Sequence, residues 1–569
     1  MTDSRRIDQD SRHVIRKDLL TNLLVEAGAG SGKTQMLAER MAAGVATGAY
    51  QIQHMAAVTF TRKAASELRG RFHLALEQEL TTSRGESAVR IQHALSNLER
   101  FFAGTIHSFC ARLLRERPVE SGVSPGFTEL DEAEDVDLRR RSWRDFIVIA
   151  RSSGDPLMLE LLAAGVKPAD LDAAFATICL NDDVLFPPGD GVCPDPKPAW
   201  KALDTFWREL QKHLPAPIDT GTTCDIQKAA RNFMARMRVS RQRLDRPSVI
   251  AELLDIWDCE SKITQYRWAT TASEKKRLNN LIVPLHAEFK ATAVSPYLAQ
   301  WRQYVYRLSV TLLTRAREHA AAERRRLNTL NYGDLLNLTA SVLRSNAAVR
   351  RALQDKYRHL FVDEFQDTDP IQAEIVFLLA AHEGAPAGAT RQKKGPESAD
   401  WREVPLRAGA LFVVGDPKQS IYRFRRADIE IYNVVRDRFS DPAIGRVLPL
   451  TMNFRSAPVL CAWANDVFIQ QFPAEPTTHS PRFAALDPRE DVEPKGRVEK
   501  AGAAGVRAGV FTVTHGCQDQ KAVLADDAEQ IARYIRGGWT PGAAPTATSS
   551  SSRARKKIAS SPTRARSRR

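Results

Sequence analysis

A chain of 569 residues, 43% of them hydrophobic and with a formal net charge of +14, has room for several domains of ordinary size. No apolar run approaches the roughly 18 residues that a membrane span needs, and the N-terminal MTDSRRIDQDSRHVIRK lacks the apolar core of a secretory signal, so the expected compartment is the cytoplasm, without membrane association. Seven cysteines scattered without a CxxC pair suggest neither a zinc site nor a disulfide framework.

In chain order, the first predicted element is a short apolar strand, Leu23 to Val25, followed in LLVEAGAGSGKT by a glycine loop and a helix. Ala27, Gly28, Ala29, Gly30, Ser31, Gly32, Lys33 and Thr34 fit the phosphate-binding loop, with Ala in the first position where the strict pattern has Gly. Glycines let successive backbone N–H groups face phosphate oxygens at a helix N-terminus, Lys33 reaches the β- and γ-phosphates, and the Thr34 hydroxyl joins a Mg²⁺ shell. MAAVTFT and TLNYGDLL flank further elements, and between about 130 and 350 runs such as AREHAAAERRRLNTL and NAAVRRALQDKY predict helices with charged outer faces. Next comes FVDEFQDTDP, which sets four carboxylates, Asp363, Glu364, Asp367 and Asp369, behind the apolar run LFV. Asp363 at the end of such a strand can hold Mg²⁺ through water, and Glu364 can polarise the attacking water. A solvated acidic loop would explain either carboxylate alone, but not the pair together with the phosphate loop.

Segments 382–407 and 472–508, rich in Pro, Gly and charge, are expected to be surface loops or linkers. The C-terminal SSSSRARKKIASSPTRARSRR holds eight Lys/Arg and no acid, leaving +6 of the +14 for the remaining chain. That excess suits a polyanion partner only weakly. The tail has almost no large apolar residue and cannot form a core; a nucleic-acid arm, a nuclear-import signal and a stretch of gene read out of frame are the three readings of it, and the last is favoured.

The ordered set GAGSGKT, TFTRKAASELRGR, GTIHSFC, DEFQDTDPIQ, VGDPKQSIYRFRRAD and LTMNFRS resembles the UvrD/Rep class of superfamily 1 DNA helicases. DEFQDTDPIQ and QSIYRFRRAD are most similar to the RecB/AddA-type helicase subunits of bacterial recombination nucleases. The resemblance implies ATP-driven 3′-to-5′ translocation on single-stranded DNA in repair and recombination, with ATP and Mg²⁺ as cofactors and, as a further partner, a second recombination-nuclease subunit. It implies that Gln9 reads adenine through its amide, that Gln419 senses the γ-phosphate with Asp416 supporting its loop, and that Arg455 is a γ-phosphate arginine whose planar fork stabilises transition-state charge.

For DNA, the resemblance assigns stacking to Phe60, Tyr422 and Phe424, a sequence-tolerant grip because every base has a π-face. Thr59, Thr105, His107 and Arg425 would hold phosphates or neighbouring side chains. The bland readings stand beside these: an ordinary surface Gln9, aromatics that serve the core, and a structural His107. The choice of DNA over RNA also rests on the resemblance.

Two departures are visible. Arg426 stands where many relatives have glycine. After NFRS, neither a VHKSKGLE-type segment nor a YVALTRA-type helix follows, and AVLADDAEQIARYIRGGW looks like family sequence that precedes the core of the second motor domain. The expected fold is an α/β, RecA-like P-loop NTPase core with a parallel sheet, formed by 1–115 and 336–450. A mostly helical insertion at 116–335, a stub of the second RecA-like domain at 451–540 and a disordered basic tail at 541–569 complete it, as in a motor cut within its second domain. Two function classes follow: an ATP-dependent helicase, or an ATP- and single-stranded-DNA-binding module that does not translocate.

Overall fold

The computed structural model describes residues 3–215, 218, 221, 223–382, 400–423, 426–477, 480–488 and 520–537. Phe424, Arg425, most of the two predicted loop segments and the tail 541–569 lie outside the described residues. The chain forms two compact units, one of residues 1–27 with 32–450 and one of 28–31 with 451–569.

The first unit is built on strands β1 (Asn22–Ala27), β2 (Met55–Thr59) and β3 (Phe102–Thr105), with β4 (Thr128–Glu129) and β5 (Thr329–Leu330) forming a small separate pair. Strands β6 (His359–Val362), β7 (Leu411–Gly415) and β8 (Gly445–Leu450) return to the main sheet, whose order is β3-β2-β6-β7-β1-β8 with every pairing parallel. Helices α1 (Asp3–Lys17), α2 (Lys33–Thr47), α3 (Arg62–Thr82), α4 (Glu86–Ser96) and α5 (Ile106–Glu116) belong to the same unit. The fold is therefore α/β with a parallel central sheet, the class expected from the sequence pattern together with the family resemblance.

Both faces of this sheet are covered, which is why its strands read as unbroken apolar runs. Leu23 and Val25 pack with Met36, Leu37, Met41 and Phe72 on one face, while Leu24 and Val413 pack with Phe109 and Phe377 on the other. Buried polar groups tie these layers. Asn22 donates to the carbonyls of Arg407 and Ile444, each at 3.0 Å, and accepts from Leu411 N at 2.9 Å. Arg40, fully buried, donates to the carbonyls of Ile15, Asp18 and Thr21 at 2.8, 2.7 and 3.1 Å, so a cation caps the negative C-terminal end of α1.

Between β4 and β5 the chain is helical, with two apolar clusters of its own. Trp143, Phe146, Phe175, Leu308 and Leu312 belong to one, and Leu203, Phe206, Phe233, Trp257 and Phe289 to the other. The helix Ser295–Arg326, 32 residues long, contributes Tyr297 and Leu298 to the second cluster and Leu308, Leu312 and Ala316 to the first, and so spans both. Near its end the buried Arg324 grips Asp334 at 2.6 and 2.9 Å. Among the described residues no helix is long and apolar enough to cross a membrane.

In the second unit, β9 (Met452–Asn453) pairs in parallel with β10 (Asp487–Pro488). The helix Pro458–Phe468 joins them through Asn465, which donates to Leu486 O at 3.0 Å and accepts from Leu486 N at 2.9 Å. A further helix covers Gln520–Gly537.

Parallel strands end at one edge, and ligands of such sheets bind outside their carboxyl ends. Thr59 ends β2, Thr105 ends β3, Asp363 follows β6 and Asp416 follows β7, so one edge of the first unit collects these four.

Candidate nucleotide site and nucleic-acid cleft

Helix α2 opens at Lys33 directly after Gly32, whose φ of 83° suits glycine alone. Its first N–H groups and positive dipole end favour an anion there. Lys33 Nζ donates to Glu364 Oε2 at 2.8 Å. Glu364 itself has φ 54°, a left-handed conformation that costs an L-residue strain and turns its side chain at the strand end. Its backbone N–H donates to Asp363 Oδ1 at 3.0 Å.

Gln366, only 2% exposed, extends the contact. Its Nε2 donates to Glu364 Oε2 at 2.8 Å and its Oε1 accepts from Asp416 N at 2.9 Å. Asp416 Oδ2 in turn accepts from Gln419 Nε2 at 2.8 Å. Lys33, Glu364, Gln366, Asp416 and Gln419 therefore form one continuous polar chain along the edge of the sheet. Sequence reasoning had no role for Gln366; its amide shows its purpose only once β6 and β7 lie side by side.

Burial and the neighbouring Glu364 charge raise the carboxyls of Asp363 and Asp367 to about 6, while Lys33 pulls both down and the Thr34 hydroxyl bonds Asp363. Crowded oxygen acids beside a hydroxyl suit a hard divalent cation. Among the described residues no group of three or more His, Cys, Asp or Glu is placed to hold a metal by itself, and Mg²⁺ ordinarily takes one or two protein carboxylates plus phosphate and water. Thr34 and Asp363 fit that pattern.

In the second unit the loop Gly28–Ser31 meets the NFRS segment backbone to backbone. Phe454 N donates to Gly30 O and Asn453 Nδ2 to Ala29 O, both at 2.8 Å. Gly30 has φ +73°, and a Cβ there would lie 2.8 Å from Arg455 Cβ, so glycine is required twice over. The buried Asn453 accepts from the N–H groups of Arg455 and Ser456 at 2.8 and 2.7 Å, fixing the backbone that presents the exposed Arg455. Asn453 is a second residue that sequence reasoning passed over. Ala27 ends β1, fully buried, and Gln9 lies on the exposed side of α1.

A cavity of about 460 Å³ opens at the same edge of the first unit, lined by Thr59, Phe60, Thr105, His107, Tyr332, Asp363 and Glu364 among others. Phe60 and Tyr422 face each other with ring centroids 5.0 Å apart. Thr59 Oγ1 donates to Thr61 O at 3.0 Å, and Thr105 caps α5 by accepting from Ser108 N at 3.3 Å. His107 packs on Tyr332 at 4.7 Å, and burial lowers its imidazole to about 4. A neutral ring can hold a phosphate only by N–H donation, not by charge. Tyr332, half-exposed beside it, is the third residue not singled out from the sequence; NYGDLL contained an aromatic but no signal of its neighbour.

Comparison with known families settles the class. The model of the UvrD/REP helicase N-terminal domain matches residues 7–440. The chain belongs to the UvrD/REP helicase family. It is similar to an ATP-dependent helicase/nuclease subunit of Levilactobacillus brevis, 28% identical over 504 residues, covering 79% of this chain and 37% of that protein. The proteins of the same description from Exiguobacterium sibiricum and Syntrophomonas wolfei are each 26% identical, with 79% of this chain and 38% and 37% of their own lengths covered. The chain thus spans well under half the length of these relatives. For a UvrD/REP-type chain, Arg426 is the departure with a structural cost: its φ is 68°, the conformation glycine takes freely.

Proposed function

We propose that this chain is the ATP-binding part of a DNA helicase motor that moves 3′ to 5′ along single-stranded DNA in repair and recombination, working in the cytoplasm. The observation that carries the reading is that a single edge of the parallel sheet holds both the Lys33-to-Gln419 polar chain and the cavity lined by Thr59, Phe60, Thr105, His107 and Tyr332. Asp363 and Glu364 line that cavity too, so a change at the phosphate side is felt where a strand would lie.

In this reading, the loop of Ala27 to Gly32 and Lys33 hold the triphosphate, and Gln9 reads the base. Thr34 and Asp363 hold Mg²⁺, which when bound neutralises charge on the β- and γ-phosphate oxygens. Glu364 orients and deprotonates the attacking water, and its bond to Lys33 yields when Lys33 turns to phosphate. Gln419 and Arg455 meet the γ-phosphate. Gln366 carries the Glu364 position to Asp416 and Gln419, and the Gln419 loop continues to Tyr422, whose ring lies on Phe60. Phe60, Tyr422, Phe424 and Tyr332 stack bases, and Thr59, Thr105, His107 and Arg425 steady the backbone. The relatives carry the description of a helicase/nuclease subunit, which supports a partner polypeptide for this chain.

The deciding experiment compares ATP hydrolysis with and without single-stranded oligonucleotide. Stimulation by DNA is the expected result, and hydrolysis indifferent to DNA overturns the reading. Polarity is read from streptavidin displacement by the assembled motor to which this chain contributes, expected from 5′-biotinylated and not from 3′-biotinylated strands.

A further inference from the structure

Asp183 belongs to the helical insertion, after the helix Asp172–Leu180, yet its carboxylate receives both terminal nitrogens of Arg426. Arg426 lies in the loop that runs from Gln419 past Tyr422. That loop is fixed at its start by Asp416 on Gln366 and at its end by Asp428 N on Thr368 O at 3.4 Å. Its middle closes on itself, with Ala427 N donating to Tyr422 O at 3.3 Å and Arg426 N to Arg423 O at 3.0 Å. The side chain of Arg426 thus ties the insertion to the segment that carries Tyr422.

Three further features set this contact apart from an ordinary surface ion pair. It is two-pronged, the geometry in which a guanidinium binds a carboxylate most firmly. It is made by a residue kept in a left-handed conformation, so backbone strain is tolerated where glycine would remove it. And the adjacent residue, Asp182, lies 3.6 Å from Arg324, which holds Asp334 on the helix Tyr332–Ser345. Tyr332 packs on His107. Two consecutive carboxylates of the insertion thus serve both sides of the proposed DNA cleft: Asp183 pairs with Arg426 beside Tyr422, and Asp182 pairs with Arg324, which in turn holds Asp334 on the helix of Tyr332. The buried Asp369 also faces Arg426, and against the upward pull of burial Arg426 holds Asp183 below its ordinary value.

We propose that Asp183 is a positioning residue: through Arg426 it sets the segment that carries Tyr422, so that the helical insertion and the Tyr422 stacking surface move as one body when single-stranded DNA is engaged. The DNA part of this statement rests on the helicase reading; the positioning part does not.

The test uses the full chain with Asp183→Asn, Arg426→Gly and the exchanged pair Asp183→Arg/Arg426→Asp. Arg426→Gly relieves the backbone and should fold, and Asp tolerates a left-handed site better than most residues. Hydrogen exchange of peptides covering 419–428 should quicken about fivefold in each single variant and return toward the starting rate in the exchanged pair, as a coupling at the low end of the usual range requires. The oligothymidylate concentration giving half-maximal stimulation of ATP hydrolysis should rise by about the same factor, with DNA-free hydrolysis unchanged. Exchange rates unmoved by Asp183→Asn, or unmoved by Arg426→Gly, overturn the positioning. Exchange that responds while the half-saturating DNA concentration stays put overturns its link to DNA. An unsubstituted chain whose hydrolysis ignores oligothymidylate overturns the helicase reading instead, and the exchange data still decide the pairing.

Discussion

Lys33 Nζ donates to Glu364 Oε2 at 2.8 Å, with the lysine side chain 11% and the glutamate 33% exposed. The cation at the head of α2 and the carboxylate after β6 hold each other across 331 positions of sequence. Lys33→Ala removes Glu364's partner and, with it, the phosphate contact proposed above. Mg·ATP affinity should fall about 10- to 150-fold, the equivalent of about 1.5–3 kcal/mol for a charge-assisted bond. Titration with a fluorescent nucleotide measures it, and equal affinity would remove Lys33 from the site.

Glu364→Gln should separate binding from chemistry. The amide can still accept from Lys33 and Gln366, but it cannot take a proton from water. Nucleotide affinity should stay within about threefold while turnover drops about 10²- to 10⁴-fold. A variant that hydrolyses ATP normally would mean that another group activates the water.

Gln366→Leu leaves the Asp416 N–H without its acceptor in a buried place. The cost should be about 1–3 kcal/mol in urea unfolding. DNA stimulation of hydrolysis should weaken beyond any loss of nucleotide affinity, because Gln366 joins the Glu364 and Gln419 loops. Stability and stimulation both unchanged would show the polar chain to be incidental.

Phe60→Ala and Tyr422→Ala should each weaken single-stranded oligonucleotide binding by about 1–3 kcal/mol per base no longer stacked. Duplex affinity, carried by phosphate contacts and therefore salt-dependent, should move little. Equal losses for both forms, read by fluorescence anisotropy, would contradict stacking.

Burial lowers the imidazoles of His107 and His359 to about 4, from an ordinary 6.5. Folding thus favours the neutral rings, and as pH falls below 6.5 the unfolded chain takes up these protons first. Stability that is complete above pH 6.5 should be lost as pH drops toward 4, at up to about 1.4 kcal/mol per pH unit for each ring. His359→Gln, which keeps a donor for Gly409 O, should flatten the decline. Denaturant midpoints at pH 7.5 and 5.5 measure it, and an identical slope in the variant would assign the acid sensitivity elsewhere.

Much of this was legible before any fold was in view. The phosphate loop is contiguous, and its glycines, lysine and threonine work through their own backbone and the helix that follows, so eight residues carry their meaning locally. The apolar runs LLV, AAV and LFV announce strands buried on both faces, because a parallel sheet covered by helices leaves no polar side to alternate with. The acidic stretch after LFV marked a candidate site for a similar reason: so much charge at a buried strand end needs a partner. Family motifs added the order of the elements and the class.

What only the tertiary structure decided are the partners. Gln366 meets Asp416 across 50 positions of sequence and Arg426 meets Asp183 across 243. Asn453 reaches the glycine loop across 424. Periodicity reports which face of an element is apolar, but a hydrogen bond between two loops depends on which strands become neighbours and in what register. That is settled by packing the whole sheet. The same holds for Arg426: a positive φ leaves no mark in the residue's identity, and its ion pair exists only because the helical insertion brings Asp183 back to the edge of the sheet. Local chemistry was written in the sequence, and the contacts that join its pieces were a property of the fold.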